Sequence, residues 1–314
     1  MAAKHTRILD RALTRLKLRQ LRLLIAVSEQ GSIQNAARGL GISQPAASKM
    51  IQDLEVDFEV KLFERTNRGV VPTLFGEVLI RHGKLIFAQV SNAAQELDDL
   101  NEGNSGRVVI GTLLAASPEL LPNAVELLLE ERPNVAVKIV EGTNDILMPA
   151  LSAGEIDLVV GRLPGHRHRA ETVQEKLYDE QIRAVVGPQH PLSNSKNLQF
   201  SDLTHFPWIL PPIETTLRRQ IDRFFVQNGP YQPETCIESV SYLANRALLQ
   251  SRDFVCLMPS HVAALDIQQG ILCKLDWRPP FGAGSVGVSY RNSNALSPAS
   301  AAFLSILKRV VRVE

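Results

Sequence analysis

The sequence predicts an α + α/β protein, with a helical first third and a longer region in which strands and helices alternate. Three observations carry this. Apolar residues in the first 105 positions recur at three- and four-residue spacing, the period of helices with one buried face. From Arg107 onward, short β-rich runs alternate with helical patterns, as they do where helices cover mainly parallel sheets. The chain has 314 residues, 45% of them hydrophobic and 21% charged, which is enough for two domains with more than one buried core and argues against disorder.

Leu18, Leu21, Leu24 and Ile25 share one face of a first helix, which Gly31 ends. Ser32 is placed to cap a second, short helix over residues 33–40, and Gly41 breaks it. Ser43 is placed to cap a third, with Pro45 in its first turn, where a missing N–H costs little. Ala47, Ile51 and Leu54 form its inward face. Asn67 to Gly69 are turn formers between short β-prone stretches, which suggests a hairpin. A helix over about 73–100 follows. Its stripe of Leu79, Leu85/Ile86, Val90, Ala93/Ala94, Leu97 and Leu100 needs a partner, and a second copy of the chain is the simplest one. Residues 101–106 read as a linker. Strands are expected at 108–111, 135–141, 158–161, 182–187, 208–210, 236–240, 254–258 and 284–290, and a helix over 300–313 closes the chain.

Net charge is +1, but residues 1–70 carry 12 Lys+Arg against 7 Asp+Glu, so by charge balance this segment is the candidate for an anionic macromolecular partner. Cys236, Cys256 and Cys273 are odd in number and scattered, which suits a reducing, cytoplasmic setting rather than a disulfide framework. The longest early apolar run, residues 23–27, is far short of the roughly 20 needed to span a bilayer. The first 20 residues lack the unbroken apolar stretch of a signal peptide. No membrane role and no cofactor are expected. No catalytic motif of the G-x-S-x-G, H-E-x-x-H or phosphate-loop type occurs. His166 and His168 form an H-x-H without further ligands nearby, so a solvated connector is expected rather than a metal site.

The segment GSIQNAARGLGISQPAASKMIQDLE has helix-turn-helix character. Ala36 and Ala37 let two helices approach closely, Gly41 suits the turn, and Ile42 plugs the shared core. The outward face of the third helix would then present Gln44, Pro45, Ser48, Lys49 and Gln52, short or amide side chains with one cation, as base edges and phosphates require. The pattern alone leaves open a helical hairpin used only for protein contact. It also leaves open a solute-binding or enzymatic α/β protein with an accessory helical domain.

LRQLRLLIAVSEQGSIQNAARGLGISQPAASKMIQDLE, followed by KLFERTNRGVVPTLFG, resembles the winged helix-turn-helix of LysR-type transcriptional regulators over about 65 residues. The ERTNRGVVPTLFG and ILPPIETTLRRQ stretches are most similar to the galactose-binding-protein-regulator group. The resemblance implies a winged helix-turn-helix over 1–72, a dimerisation linker helix over 73–105 and a periplasmic-binding-protein-like effector domain over 106–314. Of its two lobes, the first would comprise about 106–165 and 284–314, the second about 166–283. It implies that Ser43, Gln44, Pro45, Ser48 and Lys49 begin the recognition helix and that Arg65, Asn67 and Arg68 form the wing. It further implies double-stranded promoter DNA, a small-molecule effector and RNA polymerase as partners, and a homodimer or dimer of dimers. Pro72 stands where the family usually has Leu before its Thr-x-x-Gly stretch. Lys4, Arg7, Arg11, Arg15 and Lys17 lie in an N-terminal extension, expected to be a solvated tail or an extension of the first helix, with phosphate contact as the alternative.

Three polar handles are expected in the effector region. Ser117-Pro118 reads as a helix start, and Thr143-Asn144 and Glu214-Thr215-Thr216 should open two more helices, whose free N–H groups favour an anion. By resemblance Ser117, Thr143, Arg162 and Thr215 line the cleft between the lobes, although each Ser or Thr also fits a plain helix cap. Sugars, sugar acids and aromatic carboxylates all suit such handles.

Overall fold

The computed structural model describes residues 10–67, 69–102, 105–164, 172–228, 233, 236–281, 284–291 and 296–313. Arg68, His166 and His168 lie outside the described residues. The chain divides into two compact units, Met1–Ser91 and Asn92–Glu314.

In the first unit, residues 10–15 form α1, followed by α2 (Leu18–Gln30), α3 (Ile33–Gly39) and α4 (Gln44–Phe58). Gly31 ends α2 with φ 59°, a left-handed conformation that glycine adopts without steric cost. Ser32 and Ser43 cap α3 and α4, accepting from the N–H groups of Asn35 and Ala46, and each cap contributes about 1 kcal/mol. Leu21, Leu24, Val27, Ala36, Ala37, Ala47, Ile51 and Leu54 interlock as the core of the three helices. The small Ala36 and Ala37 sit fully inside it, as the close helix approach requires.

The hairpin expected near Asn67 is β1 (Phe63–Thr66) paired antiparallel with β2 (Gly69–Pro72), in register from Phe63↔Pro72 to Thr66↔Gly69. It is hooked to the α2–α3 turn by the Val70 N–H donating to the Gly31 carbonyl at 2.8 Å. Pro72 ends the ladder and leaves the start of the next helix undisturbed. Thr73 accepts from the Gly76 N–H at 3.1 Å and donates to the Lys61 carbonyl at 2.7 Å, capping α5 (Leu74–Glu102) onto the hairpin. That pair of hydrogen bonds is the physical content of the Thr-x-x-Gly spacing. Gly76 lies so close to the hairpin that an added Cβ would sit 2.1 Å from the Leu62 carbonyl oxygen. Leu74, Phe75, Val78, Ile86, Val90 and Leu97 of α5 are exposed.

The second unit holds two five-stranded sheets. Its elements are β3 (Ser105–Thr112), α6 (Leu120–Glu131), β4 (Asn134–Glu141), α7 (Asn144–Ser152), β5 (Leu158–Arg162), β6 (Thr172–Asp179), β7 (Ile182–Val186), α8 (Phe200–Leu203), β8 (Trp208–Leu210), α9 (Thr216–Gln227), β9 (Cys236–Glu238), α10 (Tyr242–Ser251), β10 (Val255–Pro259), α11 (Ala264–Gln268), β11 (Cys273–Lys274), β12 (Ser285–Arg291) and α12 (Pro298–Val313). The strand orders are β4-β3-β5-β12-β6 and β11-β7-β10-β8-β9. The first lobe buries Val108, Ile110, Leu128, Leu158, Val288 and Phe303. The second buries Trp208, Ile221, Phe224, Phe225 and Leu257.

Two expectations are corrected. The sheets are mixed rather than mainly parallel. The chain crosses between lobes twice, after β6 and before β12. A strand entering a lobe from the crossing side must run away from it, so β12 is antiparallel to β5 and β7 to β10. The first crossing also lies later than residue 165. Strand β6 pairs with β12 in the first sheet, and it escaped the sequence because a half-exposed edge strand carries no apolar run.

His190 is buried in the second lobe. Its ring packs on Phe206 with centroids 4.4 Å apart, and Nδ1 accepts from the Leu192 N–H at 3.1 Å. Burial pushes its pKa below the ordinary 6.5, against a smaller opposing pull from Asp253. A depressed folded pKa means that stability is full above pH 6.5 and is lost as pH falls below it, where the unfolded chain takes up the proton first. Urea unfolding at pH 7.5 and 5.5 is expected to show that loss in the wild type and less of it in His190→Gln. Equal pH dependence in both would remove His190 as the cause.

Candidate functional site

Two sites emerge, one in each unit. In the first unit, α4 turns Ala47, Ile51 and Leu54 inward, so positions 44, 45, 48, 49 and 52 fall together on the opposite side. Ser43, Gln44, Pro45, Lys49 and Gln52 are exposed and Ser48 is half-buried. On the hairpin, Arg65 and Asn67 are exposed as well.

The charges of this unit are sorted. The acidic residues near the C-terminal end of α4 are each paired, Glu55 with Lys61 at 2.6 Å, Asp57 with Arg15 at 3.3 Å and Glu59 with Arg11 at 2.9 Å. Arg11 and Arg15 of the extension are thus paired with the protein's own carboxylates at the surface. Lys49 and Arg65 remain exposed cations on the α4 face and the hairpin.

In the second unit a cavity of about 400 Å³ lies between the lobes. Thr143, Arg162 and Thr215 line it as expected. Thr143 stands at the N-cap of α7 with no side-chain cap bond. Thr215 is a true cap of α9, accepting from the Arg218 N–H at 3.2 Å and donating to the Pro212 carbonyl at 2.8 Å.

Ser117 is the correction. It begins no helix and is not among the lining residues, because residues 114–119 form turns and α6 starts at Leu120. Its hydroxyl instead donates to the Leu113 carbonyl at 3.3 Å. The third helix N-terminus at the cavity is that of α10. Ser241 caps it by accepting from the Ala244 N–H, and Ser241 and Tyr242 line the wall. A Ser directly after the β-rich run 236–240 was the sequence signal for it.

Arg162, at the end of β5, is buried and ion-paired with buried Glu180, and its Nη1 donates to Gln220 of α9 at 3.1 Å. Glu180 sits in the first crossing, and its N–H donates to the Gly284 carbonyl of the second crossing at 2.9 Å. A Cβ on Gly284 would lie 3.0 Å from Arg162 Nε. The guanidinium is thus wedged against both crossings. Burial pushes the Glu180 carboxyl above its ordinary range, and the adjacent guanidinium holds it back. Asn144, the first residue of α7, donates through Nδ2 to the Arg162 carbonyl at 3.0 Å and also lines the cavity. Sequence reasoning placed Thr143-Asn144 at this helix start but missed Glu180, because nothing in a one-dimensional pattern brings a crossing segment and a helix start to one wall.

Among the described residues no helix is long and apolar enough to cross a membrane. Residues 18–77 match the family model of the bacterial regulatory helix-turn-helix protein, lysR family, and residues 101–312 match the LysR substrate binding domain. The chain is 32% identical over 295 residues to the transcriptional regulator GbpR of Azospirillum brasilense, covering 94% of this chain and 86% of that protein. It is 33% identical over 277 residues to the regulator PcaQ of Agrobacterium fabrum, covering 88% and 89%. Among solved structures, full-length OxyR of Pseudomonas aeruginosa is similar with a TM-score of 0.66 at 22% identity, covering 95% of each chain. The LysR family regulator CbnR has a TM-score of 0.66 at 20% identity, covering 94% and 99%. At such identities these structures speak for the fold. Two family models that together span most of the chain, and two relatives above 30% identity along nearly all of it, settle the family: the chain belongs to the LysR-type transcriptional regulators, with an N-terminal helix-turn-helix for DNA and a C-terminal effector-binding domain.

Proposed function

We propose that the chain acts by binding rather than catalysis, as a cytoplasmic regulator whose residues 1–72 grip promoter DNA, whose helix over 73–105 pairs two copies, and whose residues 106–314 sense an effector. Ser43, Gln44, Pro45, Ser48, Lys49 and Gln52 enter the major groove. Arg65, Asn67 and Arg68 follow the sugar–phosphate backbone beside it. The observation that carries this is the two-sidedness of α4: one side is fully spent on the core, and the other presents amides, hydroxyls and a cation. The exposed stripe of Ile86, Val90 and Leu97 on α5 supports pairing through that helix. Two such dimers would form the dimer of dimers, and RNA polymerase is the downstream partner.

The effector binds the cavity, where Thr143, Thr215 and Arg162 meet three helix N-termini. It regulates by favouring one arrangement of the lobes over another, which requires unequal affinity for the two.

Fluorescence anisotropy with the DNA upstream of the chain's own coding region, at several salt concentrations, tests the groove assignment. Lys49→Ala and Arg68→Ala are each expected to weaken binding and to reduce the salt slope by about one. Gln44→Ala is expected to relax base preference by about 1–3 kcal/mol at one position and to leave the slope alone. Unchanged affinity and slope in both cation variants would end the assignment.

A further inference from the structure

The cavity wall holds one cation among its lining residues, Arg162, and that cation is already engaged by Glu180 and Gln220. The acids Glu141 and Glu180 line the same wall. A ligand whose carboxylate is its only polar group would therefore meet no free positive side chain among the described lining residues and two carboxylates instead.

Among the described residues, two buried atoms of the cavity lining lack a hydrogen-bond partner, Glu180 Oε1 and Asn144 Oδ1. Both are acceptors. The Asn144 orientation is set because its Nδ2 donates to the Arg162 carbonyl. Glu180 is 1% exposed, and its other oxygen holds Arg162. Buried acceptors call for donors, which a carboxylate does not have. The N-termini of α7, α9 and α10, in turn, offer N–H donors that call for acceptors. A hydroxyl group donates and accepts at once, so a molecule carrying several can satisfy both sets.

On the premise that the cavity is the effector site, we propose that the effector is a polyhydroxylated molecule, a sugar or sugar acid, whose hydroxyls donate to Glu180 Oε1 and Asn144 Oδ1. Glu180 then has two roles. One oxygen reads the ligand, and the other holds the guanidinium wedged between the crossings. Its backbone N–H is tied to Gly284 of the return crossing. Ligand capture at Glu180 acts directly on the hinge. Both acceptor oxygens are buried in the cavity wall, so a ligand that reaches them must displace what covers them, and because Glu180 also holds the hinge this couples occupancy to lobe arrangement.

The test uses the full-length chain, thermal melting and calorimetric titration with two sets of probes: pentoses, hexoses and their aldonic acids in one, benzoate and phenylacetate in the other. A member of the first set is expected to raise Tm and bind, and the second set is not. Comparing each sugar with its aldonic acid separates neutral from anionic polyols. Glu180→Gln and Asn144→Ala are each expected to lower affinity at least tenfold. Asn144 is only half-buried, so its variant keeps the fold should Glu180→Gln lose it. A polyol that binds both folded variants as tightly as the wild type overturns the proposal. So does binding of the hydroxyl-free acids alone. If those acids also change DNA affinity, the cavity remains the effector site and only the ligand class falls. If neither set binds, both readings fail.

Discussion

Arg162→Ala is expected to destabilise the C-terminal unit by about 3–5 kcal/mol, because it strands a buried carboxylate. Arg162 and Glu180 have side-chain exposures of 7% and 0%, so in the intact protein each charge is compensated by the other rather than by solvent. The same change removes the donor to Gln220 and leaves a void beside Gly284. The double variant Arg162→Met with Glu180→Leu is expected to recover most of that loss, since an apolar pair of similar volume avoids the desolvation of both charges. Chemical denaturation of the three proteins measures both effects. If the single and double variants lose equal stability, packing rather than charge pairing is what Arg162 supplies. The double variant is also expected to remain blind to effector, because it lacks the Glu180 acceptor, which separates folding from sensing.

Gly76→Ala is expected to weaken the N-terminal unit by at least ~2 kcal/mol and to remove promoter binding with it. The added Cβ meets a backbone carbonyl at 2.1 Å, not the end of a side chain that could swing away, so either α5 or the hairpin must move. Moving either one breaks the Thr73 bonds to Lys61 and Gly76 and misplaces Arg65 and Asn67. Gly39→Ala is the control. Its nearest neighbour is the tip of the Gln30 side chain at 3.3 Å, and alanine favours a helix by about 1 kcal/mol over glycine. It should be neutral or stabilising. Equal behaviour of the two variants in melting and anisotropy would show that the close approach at Gly76 carries no weight.

Much of the N-terminal fold was legible in the sequence because its logic is local. Ser32 and Ser43 cap the helices they precede. The period of Ala47, Ile51 and Leu54 dictates which side of α4 faces out, and the residues between them are the outward ones. Short-range hydrogen bonds and one repeat length suffice, and both can be read along a line. The long helix α5 was legible for the same reason, its stripe being a property of spacing alone.

The cavity was legible only in part. Thr143 and Thr215 could be named because a Thr after a β-rich run and before a helical pattern is again a local signal. Ser117 carried that signal and misled, because the chain spends residues 114–119 in turns before α6 begins. Whether Arg162 served the ligand, the hinge or the surface had no local answer.

What the sequence by itself determined was the order of elements, the caps, the inward faces and the family. What only the tertiary structure decided was which distant residues share a wall. Glu180 follows Arg162 by 18 positions and Gln220 by 58, yet all three meet at the hinge. Two crossings fold back between the lobes, and strand direction is imposed by the side from which each strand enters. Burial, ion pairing and unsatisfied acceptors depend on separations in space, and chain connectivity alone does not encode them until the sheets have closed.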